Sequence, residues 1–317
     1  MDKTDINYLL LFIECFHSSY TKLNRIWNLK NIPDLTWVPK IPVFLQNMSD
    51  SQLDDYFRPK PFQKRYSMQT QEQNTSNNSD YPESFDWTVN RPECINFVSQ
   101  MGVCDASDTF TVFHMLSDQR CIKGLDSERI QYSEQYYMSC NNTEQICDDY
   151  EFGHLDDHGT QLSKVLDFLF LHGSVPSQCV QYLSGLSGKS YKCPTQCDDG
   201  SELPRLIRIQ QSVTVASSSD YWSKYFDDQL KQAITVNGPA EIVFKGYEDL
   251  VYYSSGIYTH QFGNYLKQYR GEVVGWGNED GVLFWKLKMP LGEEWGENGF
   301  LRIAQTELDP YASSITV

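Results

Sequence analysis

The chain has 317 residues, 40% of them hydrophobic and 21% charged, enough for one or two modest domains around a substantial core. Its formal net charge of -16 disfavours nucleic acid and anionic membrane surfaces as partners and favours basic or neutral proteins. No stretch reaches the roughly 18 to 20 apolar residues that a membrane-spanning helix needs.

Tyr8 to Phe16 (YLLLFIECF) suits either a short secretory h-region or the buried side of a helix; Asp2 and Asp5 offset Lys3, so the basic flank of a signal is missing. Thr36 to Phe57 alternates apolar anchors with proline and then turns helical from Ser49 to Asp55. Ser67 to Asp80 is polar and free of aromatic residues, with nothing to bury, so residues 66–80 are expected to be a flexible linker. Asn47, Asn74, Asn77 and Asn141 each open an Asn-x-Ser/Thr tripeptide, an acceptor for glycan in a secreted protein. Phe110, Phe113 and Leu116, with Val112 beside them, recur at helical spacing, and Ser107 and Asp108 are suitable first residues for that helix.

His154 and His158 stand four apart around Asp156 and Asp157, a metal-binding spacing if helical, but Gly153 and Gly159 argue against a helix and for a solvated acidic loop. We expect no metal and no cofactor. Leu162 to Leu171 reads as an amphipathic helix closed by Gly173. Gly188-Lys189-Ser190 echoes the end of a phosphate-binding loop, but Leu183 stands where its first glycine belongs. Beyond it the strand signals are Val213 to Ala216, Glu241 to Phe244 and Val282 to Leu287, with a helix over Asp227 to Thr235.

Eight of the nine cysteines fall between Cys94 and Cys197, and an even set points to disulfides made in an oxidising compartment. Their spacing alone allows 105 pairings.

Met101 to Phe110 (MGVCDASDTF) resembles the start of the central helix of papain-family cysteine peptidases, where a Gln-x-x-Cys-x-x-Cys-Trp-x-Phe frame places an oxyanion-stabilising Gln six residues before the nucleophilic Cys. YPESFDW (Tyr81 to Trp87), YSEQYYMSC (Tyr132 to Cys140), NGPAEIVFKGYEDLVYYSSGIYTH and WGENGF (Trp295 to Phe300) extend the resemblance to the C-terminus and bring it close to cathepsin B. Thr36 to Phe57 is similar to the propeptide of cathepsin B-like enzymes, which runs through the substrate cleft.

The resemblance implies an α+β, two-lobed papain-like fold. Residues 1–65 would be a propeptide-like segment, 66–80 a linker, 81–205 a helical lobe with its central helix near 107–118, and 206–317 a β-rich, barrel-like lobe. It also implies the pairings Cys94 with Cys121, Cys104 with Cys147, Cys140 with Cys193, and Cys179 with Cys197, leaving Cys15 over. A secretory, extracellular or lysosome-like location follows from family and framework.

Position by position, the same resemblance puts Met101 where the Gln belongs, Ser107 at the nucleophile and Asp108 at the following Trp. Tyr269 stands at the catalytic His, six residues before Gly275, and Met289 at the Asn that orients that His. The stretch between Cys179 and Cys193 holds neither His nor Cys, so the occluding loop of cathepsin B is absent.

A cysteine peptidase needs a thiolate, an imidazole, a group to orient it and an oxyanion donor. None is present at its position. A rescue by His114 would place it about two turns from Ser107 and in the core. The expected protein is an inactive pseudopeptidase that binds protein partners or its own propeptide-like segment in the cleft, or serves as a subunit of a larger assembly. The other reading is a hydrolase with altered chemistry at Ser107.

Overall fold

The computed structural model describes residues 25–46, 48–49, 52–53, 57, 81–104, 106–141, 158–217 and 224–317. Tyr8 to Phe16 with Cys15, the 66–80 tract with Asn74 and Asn77, Asn47, Cys147 and His154 to Asp157 lie outside the described residues.

Residues 25–30 are helical, followed by β1 (Trp37–Pro39) and α1 (Val43–Gln46). Next come β2 (Phe85–Asp86), α2 (Trp87–Asn90), α3 (Pro92–Ile95), the long α4 (Ser107–Ile122), α5 (Glu134–Cys140), α6 (His158–Leu171) and α7 (Ser184–Ser187). The C-terminal part runs β3 (Gln211–Ser217), α8 (Lys224–Asn237), β4 (Ala240–Tyr247), β5 (Tyr253–Tyr258), β6 (Tyr265–Glu279), β7 (Val282–Lys288), β8 (Phe300–Ala304) and β9 (Leu308–Thr316). Helices are thus followed by a sheet of order β1-β5-β8-β7-β6-β4-β9-β3, with β2 pairing β6. This is the α+β, two-lobed arrangement that the sequence implies.

Each lobe buries its own apolar set. Phe110, Phe113, Leu116, Tyr137, Leu166 and Leu169 pack together from α4, α5 and α6. Ile242, Phe244, Val273, Trp285, Leu287 and Ile303 do so inside the sheet lobe. Disulfides join Cys94 to Cys121, Cys140 to Cys193 and Cys179 to Cys197. Cys104 is also disulfide-bonded.

Gly159, read above as a helix breaker, sits in the first turn of α6. One glycine costs about 1 kcal/mol of backbone entropy, less than the burial of the apolar face that follows it contributes. Gly173 closes α6 at φ 78°. The acceptor side of Asn141 is set by a half-buried amide that donates to the Tyr137 hydroxyl at 2.9 Å.

The N-terminal segment joins the sheet lobe instead of lying on its surface. β1 pairs antiparallel with β5, and the buried Trp37 ring lies 5.4 Å from Tyr258 while its Nε1–H donates to the Thr259 carbonyl at 3.0 Å. Leu29, Leu45, Leu53 and Phe57 enter the same core, and Arg25 pairs with Glu248 while stacking over Phe57. Trp37→Ala should cost about 3–5 kcal/mol of local stability. Limited proteolysis should then cut residues 25–57 from the body well before the body itself is digested.

Candidate functional site

Ser107 opens α4 as its first helical residue; the N-cap is Ala106, with no side-chain cap. Ser107 is thus a first-turn residue, as the sequence suggests, and its hydroxyl is not the cap. Serine caps from the position before the first helical residue, and here the chain enters the helix one residue earlier. Ser107 is 8% exposed, and its hydroxyl makes no hydrogen bond among the described residues.

Asp108 turns instead to Arg270 on β6, which pairs in turn with Glu241 on β4, while Ser313 Oγ on β9 donates to Glu241 Oε2 at 2.7 Å. The chain Asp108–Arg270–Glu241–Ser313 thus spans from the helical lobe into the sheet. Burial works against the Arg270 charge, but Glu241 and Asp108 outweigh it and raise its pKa above the usual value. Burial raises the Glu241 carboxyl, and Arg270 opposes that shift.

Side chains alternate along a strand, so Tyr269 points away from Arg270. Its ring is 3% exposed, stacks on Phe244 at 6.0 Å and carries the Lys267 ammonium at 4.6 Å from its centre. Gly246 makes room for it, since a Cβ there would meet Tyr269 Cδ2 at 2.1 Å. Met289 is fully buried, and a Cβ on Gly271 would meet its Sδ at 2.8 Å.

Met101 is 7% exposed; its backbone N–H donates to the Pro290 carbonyl at 3.0 Å, and its carbonyl accepts from the Tyr182 hydroxyl at 2.7 Å. The structure therefore brings the Met101 turn against the Met289 to Leu291 stretch, through the Gln100 and Leu291 bridge. Both methionines are packed as core residues.

His114 is fully buried and bonds through Nε2 to Ser99 Oγ at 2.9 Å, with Nδ1 unpartnered. Burial, then the charges of Lys288 and Arg129, hold its pKa well below the usual histidine value. Below it lies a second ionic group that sequence reasoning missed. Lys288 on β7 pairs with Asp118 on α4 and, at 3.0 Å, with Glu272 on β6, while Arg129 Nε donates to Asp118 at 2.6 Å. Lys288, Asp118 and Glu272 are all fully buried. Desolvation, then the Asp118 charge, pushes the Glu272 carboxyl up to about 8. Among the described residues no group of three or more His, Cys, Asp or Glu could hold a metal ion, and no helix is long and apolar enough to cross a membrane.

A helical lobe bearing one long buried helix, a sheet lobe and a paired N-terminal segment define the papain-like proenzyme architecture. The papain family cysteine protease model matches residues 81–313, and the chain belongs to that family. It is 30% identical to cathepsin B-like CP3 of Giardia intestinalis over 93% of this chain and 92% of that protein. Cathepsin B-like CP2 of the same organism is 29% identical over the same shares.

Among solved structures, procathepsin B S9 from Trypanosoma congolense superposes with a TM-score of 0.72 at 22% identity, covering 93% of this chain and 97% of that one. Procathepsin L 3 of Tenebrio molitor gives 0.67 at 18% identity, over 96% and 90%.

Proposed function

We propose that the chain is a catalytically inactive, cathepsin B-like member of the papain family that acts by binding protein, as a partner-recognition or assembly component. The observation that carries the reading is the isolation of Ser107. Among the described residues its hydroxyl has no hydrogen-bonded base, and the side chain at the family's base position, Tyr269, is packed against Phe244. A serine hydroxyl without a base is a poor nucleophile, and an ordinary phenol, protonated at neutral pH, is not such a base.

Met101 and Met289, at the positions of the oxyanion donor and the orienting amide, offer no N–H donor from the side chain. The propeptide-like segment, knit into the sheet through β1 and Trp37, supports a role as a lasting part of the body. We assign 1–65, 66–80, 81–205 and 206–317 as its segments, and the disulfides fit a secretory or lysosome-like route.

The purified protein should carry no fluorophosphonate adduct at Ser107. The variant Ser107→Cys should take up iodoacetamide at position 107, mapped by peptide mass, yet hydrolyse no dipeptidyl fluorogenic substrate above the uncatalysed rate. Fluorophosphonate adduct mapped to Ser107, or turnover restored by that single change, overturns the inactive reading.

A further inference from the structure

The stretch between Cys179 and Cys193 carries an exposed apolar group on a rigid mount. Leu186 is 86% exposed, the most of any large apolar residue among the described ones, and Leu183, Tyr191 and Val103 are exposed beside it. These residues are physically contiguous. Val103 N–H donates to the Gly185 carbonyl at 2.9 Å, a Cβ on Gly188 would lie 3.5 Å from Val103 Cγ2, and the Tyr191 hydroxyl reaches Ser187 Oγ at 3.1 Å.

The mount has little freedom. Cys179–Cys197 and Cys140–Cys193 staple both ends of the stretch. Gly185 is wedged so tightly that a Cβ there would meet the Met101 carbonyl at 2.4 Å and the Tyr182 ring at 2.4 Å. A leucine held in water on a fixed platform already carries its ordering cost, which is the condition for an anchor at an interface.

The stretch between Cys179 and Cys193 carries two lysines and no acidic residue. In a chain of net charge -16, the patch is bordered by exposed Lys189 and Lys192. Asp198, from the next segment, accepts from the Gln181 backbone N–H at 2.8 Å. At physiological ionic strength charges act over about 8 Å, so the two lysines on the stretch itself bear on a ligand seated at Leu186.

We propose that Leu183, Leu186, Tyr191 and Val103, with Lys189 and Lys192, form a docking platform for an acidic segment of a partner protein with a bulky apolar side chain between its carboxylates. The platform rests on the binding reading of the chain and names the partner chemistry for it.

The test titrates fluorescein-labelled hexapeptides, each with Leu, Phe or Trp between pairs of Asp or Glu, against the full chain by anisotropy. The expected result is saturable binding that weakens with salt. Leu186→Ser should weaken it about tenfold through lost apolar burial, and Lys189→Glu with Lys192→Glu should also abolish the salt dependence. Peptides with Lys in place of the acids should not bind.

Absence of binding by every acidic peptide, or binding unchanged in both variants, overturns the proposal. So does a zero-length cross-link within one chain from Lys189 or Lys192 to the protein's own acidic residues 148–157. A dimer that Leu186→Ser dissociates would give the patch to a second copy and overturns it too. Fluorophosphonate labelling of Ser107 on the same sample reports separately on the inactive reading, so the two fail independently.

Discussion

Arg270→Ala is expected to destabilise the protein by about 3–5 kcal/mol, the cost of leaving a buried charge cluster without its counter-charge. Arg270 lies between Asp108 on α4 and Glu241 on β4, and all three are largely removed from water. Deleting the guanidinium leaves two carboxylates facing each other across the lobes. Glu241 is already raised by burial and would take up a proton, so the loss should be smaller at pH 5 than at pH 8.

The triple change Asp108→Leu, Arg270→Met, Glu241→Leu removes every charge at once and should cost far less than Arg270→Ala alone, since desolvation disappears with the attraction. Urea denaturation of the three proteins checks this. A loss below about 1 kcal/mol for Arg270→Ala would mean that the cluster is solvated like a surface pair.

The fold could be read from the sequence wherever local pattern and family spacing agree. Val282 to Leu287 became β7, Asp227 to Thr235 became the centre of α8, and Leu162 to Leu171 became most of α6. α4 was legible at Phe110, Phe113 and Leu116, but its other faces were not. It is buried on nearly all sides, and its polar residues Asp118 and Gln119 find partners far along the chain, while His114 bonds Ser99. Period analysis expects polar residues to face water, so a helix buried behind ion pairs escapes it.

The site was legible as positions but not as contacts. Counting from Gly275 locates Tyr269, yet nothing local says that its neighbour Arg270 reaches Asp108 from the other lobe. β1 escaped notice for a different reason. Three residues are too few to show strand alternation, and β1 exists because β5 offers it an edge.

Raising the pH from 6.5 to 8.5 is expected to lower the stability of the folded chain, and Glu272→Gln should remove most of that fall. Glu272 faces Lys288 from β7, Asp118 from α4 and, beside Asp118, Arg129; its folded pKa lies near 8 against about 4.3 in the unfolded chain. Glu134, buried beside Gln131 and in the field of Arg129, is pushed up to about 7, chiefly by desolvation. For a carboxyl raised on folding, the native state keeps a proton that the unfolded state has released. Its stabilisation is complete below about pH 4.3 and is lost as pH rises through the folded value, at about 1.4 kcal/mol per pH unit for each such proton.

His114 runs the other way. Buried neutral, it would gain a proton only on unfolding, so below about pH 6.5 it pulls stability down as pH falls. The effects overlap below pH 6.5, where two carboxyl protons outweigh one imidazolium: Tm should rise from pH 8.5 to 6.5 and go on rising below. Glu272→Gln should flatten the alkaline limb and level the acid limb, where Glu134 and His114 then offset each other, while His114→Phe should steepen the rise below pH 6.5. Calorimetry over pH 5 to 9 on the three proteins separates these outcomes. An alkaline limb unchanged in Glu272→Gln would place its carboxyl in the ordinary range and overturn the prediction.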